Sequence, residues 1–248
     1  MAAVLALTAA IAYAASNTVD YTSKLTPRHP KAKKHKPANI GYEGTLSVGT
    51  TDGSQPDSAP TTVIYFPKQL ITNAKHFPSC KVSDIDGQTT VPAKCKKAVV
   101  GSGTATSLAG TPGSAGGLQE QLIVTAYNGP RGKQLLLDLN TAPGQPVPIT
   151  NRVIPGTLGK GTGPFGFKDT FTIPTDLQNV GGLQVAQTHF DVKINKKTVK
   201  VKGKKVSYLQ LGACPKSHKL PTRTVVNFSN LAGPPAGPAV TVNGTMPC

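Results

Sequence analysis

Residues 118–139 read LQEQLIVTAYNGPRGKQLLLDL. Two runs of β-favouring apolar character, 118–126 and 133–139, flank Asn128-Gly129. That dipeptide is the strongest short-range hairpin signal, because both residues tolerate the positive φ that tight hairpin turns demand. The same grammar extends in both directions. Upstream, 43–48 alternates and is followed by the turn residues Thr51-Asp52-Gly53-Ser54, 61–66 is a strand closed by Pro67, and 99–106 (VVGSGTAT) is a strand with glycine relief, the mark of a bulge or a close backbone approach. Downstream come 147–153, 168–173, 184–194, 199–201, 206–211, 222–228 and 239–242. Helical periodicity is limited to one turn's worth at 68–75. With 26 Gly and 22 Pro as punctuation and only 15% charged residues, this pattern argues against a helical bundle and against a disordered chain. It predicts an all-β fold: an antiparallel β-sandwich, Ig-like or jelly-roll-like, over residues 41–248, as one unit or as two packed β lobes.

The chain's 248 residues can bury a core without covalent help, so its cysteines reinforce a fold rather than create it. Cys80, Cys95, Cys214 and Cys248 are even in number, and none lies two to four residues from another, which fails the spacing of a zinc site. Pairing 80 with 95 and 214 with 248 keeps each bridge within one local segment, although four cysteines allow two further connectivities. Loops of about 15 and about 34 residues would contribute roughly 3 and 4 kcal/mol by chain entropy. Residues 1–14 carry an apolar run, 4–11, then Ala12-Tyr13-Ala14, a small-x-small cleavage pattern without a basic stretch before it. We expect a signal peptide there and hence a secreted or cell-surface protein whose cysteines are oxidised. The apolar run falls short of the roughly 20 residues that span a bilayer, and the mature chain offers no other candidate.

A resemblance supports this. Phe77-Pro78-Ser79-Cys80, then Cys95 leading into Val100-Gly101-Ser102-Gly103-Thr104-Ala105, with Asp52-Gly53-Ser54-Gln55-Pro56 ahead of them, resembles a group of uncharacterised secreted actinobacterial proteins. So does the order Lys202-Gly203-Lys204-Lys205-Val206-Ser207-Tyr208-Leu209, Cys214-Pro215 and a strand ending in Pro247-Cys248. The resemblance covers most of 41–248 and implies export and a disulfide-stapled β domain. It implies no activity and no catalytic residue.

The net charge of +16 is unevenly spread. Residues 15–40 hold Lys24, Arg28, Lys31, Lys33, Lys34 and Lys36 among Pro27, Pro30 and Pro37, a composition that predicts an extended, flexible basic arm. The second cluster is Lys193, Lys196, Lys197, Lys200, Lys202, Lys204 and Lys205, with no acid between them. Val199 and Val201 alternate with Lys200 and Lys202, and a turn at Gly203-Lys204-Lys205 would leave a lysine ladder on one face of a hairpin. These lysines are the candidate polyanion-binding residues, with anionic cell-wall polymers or the envelope surface as partner. The alternative is that they protect a sheet edge from aggregation. Nucleic acid is disfavoured, since its readers use arginine forks and stacking aromatics, and here only Tyr208 accompanies the lysines.

No catalytic, cofactor or metal site emerges. Gly-x-Ser-x-Gly, His-Glu-x-x-His and P-loop patterns are absent. Of five histidines, His29 and His35 lie in the arm, His76 precedes the first cysteine and His218 follows Cys214-Pro215. His189 and Asp191 would share one face of a strand. Asp84 and Asp86 in the first cysteine loop, like Asp52 and Asp57, read as turn residues. No Trp exists, and Tyr42, Tyr65, Tyr127 and Tyr208 are the tyrosine candidates for a sugar platform within the folded part. Asn227-Phe228-Ser229 and Asn243-Gly244-Thr245 match the glycosylation sequon. The expectation is therefore a non-enzymatic exported module held to anionic polymers by basic clusters. The alternative is a carbohydrate-binding module or hydrolase with its site built from separated loops.

Overall fold

Alternation along each strand decides which face is buried. Along 118–128 it places Leu122, Val124 and Ala126 inside, while along 134–141 Leu135, Leu137 and Leu139 face inward and Leu136 and Asp138 outward. The computed structural model describes residues 16–32, 36–229 and 237–248, so the expected signal peptide at 1–14 and Lys33, Lys34 and His35 lie outside the described residues. The strands are β1 (Asn17–Thr26), β2 (Ala38–Thr50), β3 (Ser58–Pro67), β4 (Leu70–Thr72), β5 (Val99–Gly110), β6 (Leu118–Asn128), β7 (Gln134–Thr141) and β8 (Arg152–Lys160). They continue as β9 (Phe165–Thr172), β10 (Asn179–Val180), β11 (Leu183–Ile194), β12 (Thr198–Val201), β13 (Lys204–Ser207), β14 (Leu209–Leu211), β15 (Lys219–Ser229) and β16 (Val240–Pro247). Helix is confined to α1 (Ala93–Lys96), α2 (Thr175–Gln178) and three short 3-10 turns. No helix among the described residues is long and apolar enough to cross a membrane.

The fold is antiparallel all-β, with the Cys80–Cys95 and Cys214–Cys248 bridges formed. One hydrogen-bonded path runs β16-β15-β3-β9-β8-β7-β6-β5-β11-β2, with β1 beside β2 and with β14 and β4 extending past it. The path folds over on itself. Tyr21, Leu46 and Val48 from β1 and β2 meet Val226 of β15 and Val242 of β16, so the two ends of the sheet share one interior. The two facing layers of the sandwich therefore belong to one continuous sheet.

Because every neighbouring pair is antiparallel, the connections alternate between two rims. The register places Thr26 beside Gly41, Tyr42 beside Ile194, Ile194 beside Gly101 and Val99 beside Tyr127 at the first rim. The connections 27–37, 68–98, 129–133, 161–164 and 195–218 leave from that rim. The connections 51–57, 111–117, 142–151, 173–182 and 230–239 leave from the second.

A second, smaller core lies outside the sheet. The 80–95 disulfide loop packs Ile85 and both cysteines against Tyr127, Leu136 and Val153 on the outer faces of β6, β7 and β8. Asp86 fixes it there, its Oδ1 accepting from the Val153 amide at 2.9 Å and from Arg152 Nε at 3.2 Å.

Four expectations are corrected. The basic arm expected at 15–40 contains β1, paired with β2 over its whole length. Val19, Tyr21 and Leu25 give that stretch the period of a half-buried strand, and the basic, proline-rich composition begins only where the strand ends. The region 68–75 forms β4 and the start of a 3-10 turn rather than a turn of α-helix. The 118–139 hairpin forms, but Gly129 is extended (φ −86°) and the chain turns through Pro130–Gly132. Asn128 is instead the buried last residue of β6, and its Nδ2 donates to the carbonyls of Ala74, Phe77 and Pro78. Lastly, residues 147–151 are loop, and β8 starts at Arg152. The bulge signalled by 99–106 is present as a register shift between Val99 and Gly101. Further along β5, a Cβ on Gly103 would sit 1.9 Å from the Asp191 carbonyl oxygen, so only glycine lets β5 and β11 approach this closely.

Candidate functional site

The lysine cluster folds as a separate two-stranded sheet, β12 with β13. The turn is Lys202-Gly203, one residue earlier than the spacing suggested, and both residues have positive φ (47° and 78°), the requirement of a type I′ hairpin turn. Pairing follows from it: Val199 opposes Val206 and packs toward the core, while Lys200 opposes Lys205 on the other face. Like charges directly across a ladder repel, so nothing in strand pairing favours this arrangement. Lys193, Lys196, Lys200, Lys202, Lys204 and Lys205 are all exposed.

Lys197 is different. Its Nζ donates to the carbonyl oxygens of Lys97 at 2.7 Å and Val99 at 2.6 Å, and burial holds its ammonium below the usual lysine value. Its own carbonyl accepts from the Tyr208 amide and from Ser207 Oγ. Lys197 therefore fastens the base of the hairpin to the start of β5 and is removed from the set of surface lysines. No local sequence signal marks this role, because the carbonyls it satisfies belong to residues 100 and 98 positions away.

The same bonds bring in basic residues absent from the original set. Lys96 and Lys97, at the end of α1, lie exposed beside the hairpin base. The 27–37 connection leaves β1 at Thr26, which pairs with Gly41, and a notional Cβ on Gly41 would stand 2.9 Å from the Ile194 carbonyl oxygen; the chain carrying Arg28, Lys31 and Lys36 thus starts beside the chain carrying Lys196. Arg131 and Lys133, Lys68 and Lys75, and Lys216 are exposed on the other connections of this rim. The five second-rim connections contain neither Lys nor Arg in their sequences and hold Asp52, Asp57 and Asp176. The net positive charge is thus gathered at one end of the molecule.

Carboxylates do not neutralise the lysine hairpin. Among the described residues the ion pairs are Lys24–Glu43 at 2.5 Å, Lys94–Asp84 at 2.9 Å, and Arg152 with Asp86 and Asp176. The hairpin lysines take part in none of them.

The remaining candidates resolve into structural roles. His189 and Asp191 do share the outer face of β11, but Asp191 accepts from Thr45 Oγ1 at 2.9 Å, while His189 Nδ1 faces Ser47 Oγ at 3.3 Å, so the carboxylate does not orient the imidazole. Asp84 accepts from the Lys81 amide and from Lys94, whose hydrogen bond is the main cause holding its carboxyl below the ordinary aspartate value. The close group Cys80, Asp84 and Cys95 has both sulfurs in the disulfide. Asp52 accepts from the Ser54 amide as a turn residue, and Asp57 is tied to Asn17, anchoring the start of β1. His218 Nδ1 faces the Cys248 carbonyl at 3.4 Å beside the second bridge, and His76 and His29 are exposed and separate. Tyr42, Tyr127 and Tyr208 are buried, and the Tyr65 ring lies under Lys168 and Arg223 at 5.8 and 5.9 Å.

Comparison with known proteins returns no match: no family model, no curated protein and no solved structure is significantly similar to this chain.

Proposed function

We propose that this is an exported, non-enzymatic β-sandwich protein that docks through its first rim on anionic polymers of the cell envelope, acting there as a structural or adhesive module. One observation carries the reading: antiparallel topology collects lysines from four separate connections at one rim and leaves the connections of the opposite rim without any. Protection of an edge explains lysines on one hairpin. It does not explain why connections far apart in the chain are basic at one end only. A field built in this way draws a flexible polyanion to the rim and requires no single shaped pocket. The two disulfides support an extracellular setting.

The test is co-sedimentation of the disulfide-intact protein with teichoic-acid-bearing wall fragments, and with the same fragments stripped of teichoic acid, over a salt series. Binding should need the polyanion and disappear by about 0.5 M salt, where the Debye length is roughly 4 Å. Replacing Lys200, Lys202, Lys204 and Lys205 together by Gln should weaken it at least tenfold with the melting temperature unchanged. Equal binding to stripped fragments, or binding that survives high salt, would reject the proposal in favour of the carbohydrate-binding or hydrolase alternative.

A further inference from the structure

The interior of the sheet is not filled. Two cavities of about 90 and 80 Å³ lie along its axis, the first toward the first rim and the second toward the other. Ile154, Ile173, Gln187 and Phe190 line both and form the partition. The first cavity has walls of Leu137, Phe171 and Val192 among other apolar side chains, and Asp169 also lines it. Asp169 is 2% exposed, and its Oδ1 has no hydrogen-bond partner among the described residues. The carboxylate has this room because the residue diagonal to it in β8, two before its register partner Leu158, is a glycine. A Cβ on Gly156 would stand 2.7 Å from Oδ1.

An unpartnered buried carboxylate oxygen in an apolar chamber is costly and therefore calls for an explanation. Water answers it poorly, because a buried water wants two to four polar partners and these walls are mainly aliphatic and aromatic. A drug-sized ligand is too large, since such sites run to roughly 300 Å³ or more. Benzene occupies an engineered apolar cavity of about 150 Å³, which sets the scale for what enters here once side chains at the partition adjust.

We propose that the first cavity binds a small apolar molecule about the size of one aromatic ring that carries a single hydrogen-bond donor, with Asp169 Oδ1 as the acceptor and the apolar walls holding the body. Phenol is the probe, and toluene, of nearly the same shape without a donor, is the control. Methyl-labelled protein titrated with phenol should shift the Leu137 and Val192 resonances and leave Val147 and Val180, which line the second cavity, unmoved. At pH 8, where the Asp169 carboxyl is ionised, phenol should bind at least tenfold more tightly than toluene, since a hydrogen bond to a charged group exceeds that factor. In Asp169→Leu, the preference should fall to near unity while toluene still binds. No methyl shift at the first cavity, shifts confined to the second, or equal binding of phenol and toluene to the native protein would each overturn the proposal, all three without any variant. None of these results depends on the rim lysines.

Discussion

Asp169 should make this protein less stable as the pH rises toward neutrality, the reverse of ordinary acid denaturation. Burial pushes its carboxyl from 3.8 up to about 7, against a smaller opposing effect of a backbone hydrogen bond from Thr170. The folded state therefore holds a proton on Asp169 between about pH 4 and 7, where the unfolded chain has released it. Stability from this group is fully present below the unfolded value and is lost as the pH rises through the folded value. A shift of about three units at 1.36 kcal/mol each sets a ceiling near 4 kcal/mol. At this chain length that corresponds to a melting-temperature difference of roughly 8–16 °C. The perturbation is Asp169→Asn, which keeps the shape and cannot ionise. Urea unfolding of both proteins, disulfides intact, would be followed from pH 5 to pH 8. Every other ionisable group is common to the two proteins, so the difference between the curves isolates the carboxyl. We expect the variant to gain on the native protein by about 1.4 kcal/mol per pH unit from pH 5 to about pH 7 and the difference to level off above that. Parallel curves across the range would refute the placement of Asp169 in a closed apolar interior. Asp138, raised to about 7 chiefly by burial under the disulfide loop, acts in the same direction and is common to both curves.

Three other substitutions test the framework of the rim. Gly103→Ala would put a methyl 1.9 Å from the Asp191 carbonyl oxygen, so β5 and β11 must separate; a loss of about 3 kcal/mol in urea unfolding is expected, and a change below about 0.5 kcal/mol would show that the strands do not approach this closely. Lys197→Met leaves the Lys97 and Val99 carbonyls unsatisfied and should cost about 1–3 kcal/mol of stability. Lys200→Met should be neutral within about 0.5 kcal/mol, and equal losses from the two would contradict the separate role given to Lys197.

The strands of β5, β6, β11 and β15 were legible because alternation and turn residues are local signals, and so was the pairing of the cysteines, because each bridge closes a short segment. β1 was not, since its Tyr21 and Leu25 were masked by the basic, proline-rich composition that follows. The buried role of Asn128 was equally hidden: Asn-Gly dictates a tight turn only when nothing else claims the side chain, and here three carbonyls from the 74–78 region do. The exposed hairpin lysines could be identified by their alternation with valine, but Lys197 in the same run could not.

The sequence by itself determined that this is a basic, all-β, cysteine-stapled chain, because composition, period and turn chemistry are properties of neighbouring residues. Tertiary structure alone decided that the charge lies at one end and that a carboxyl lies inside. Antiparallel pairing sends alternate connections to opposite rims, so residues distant in the chain become one electrostatic surface, and which side of a strand is interior depends on where the far end of the sheet returns.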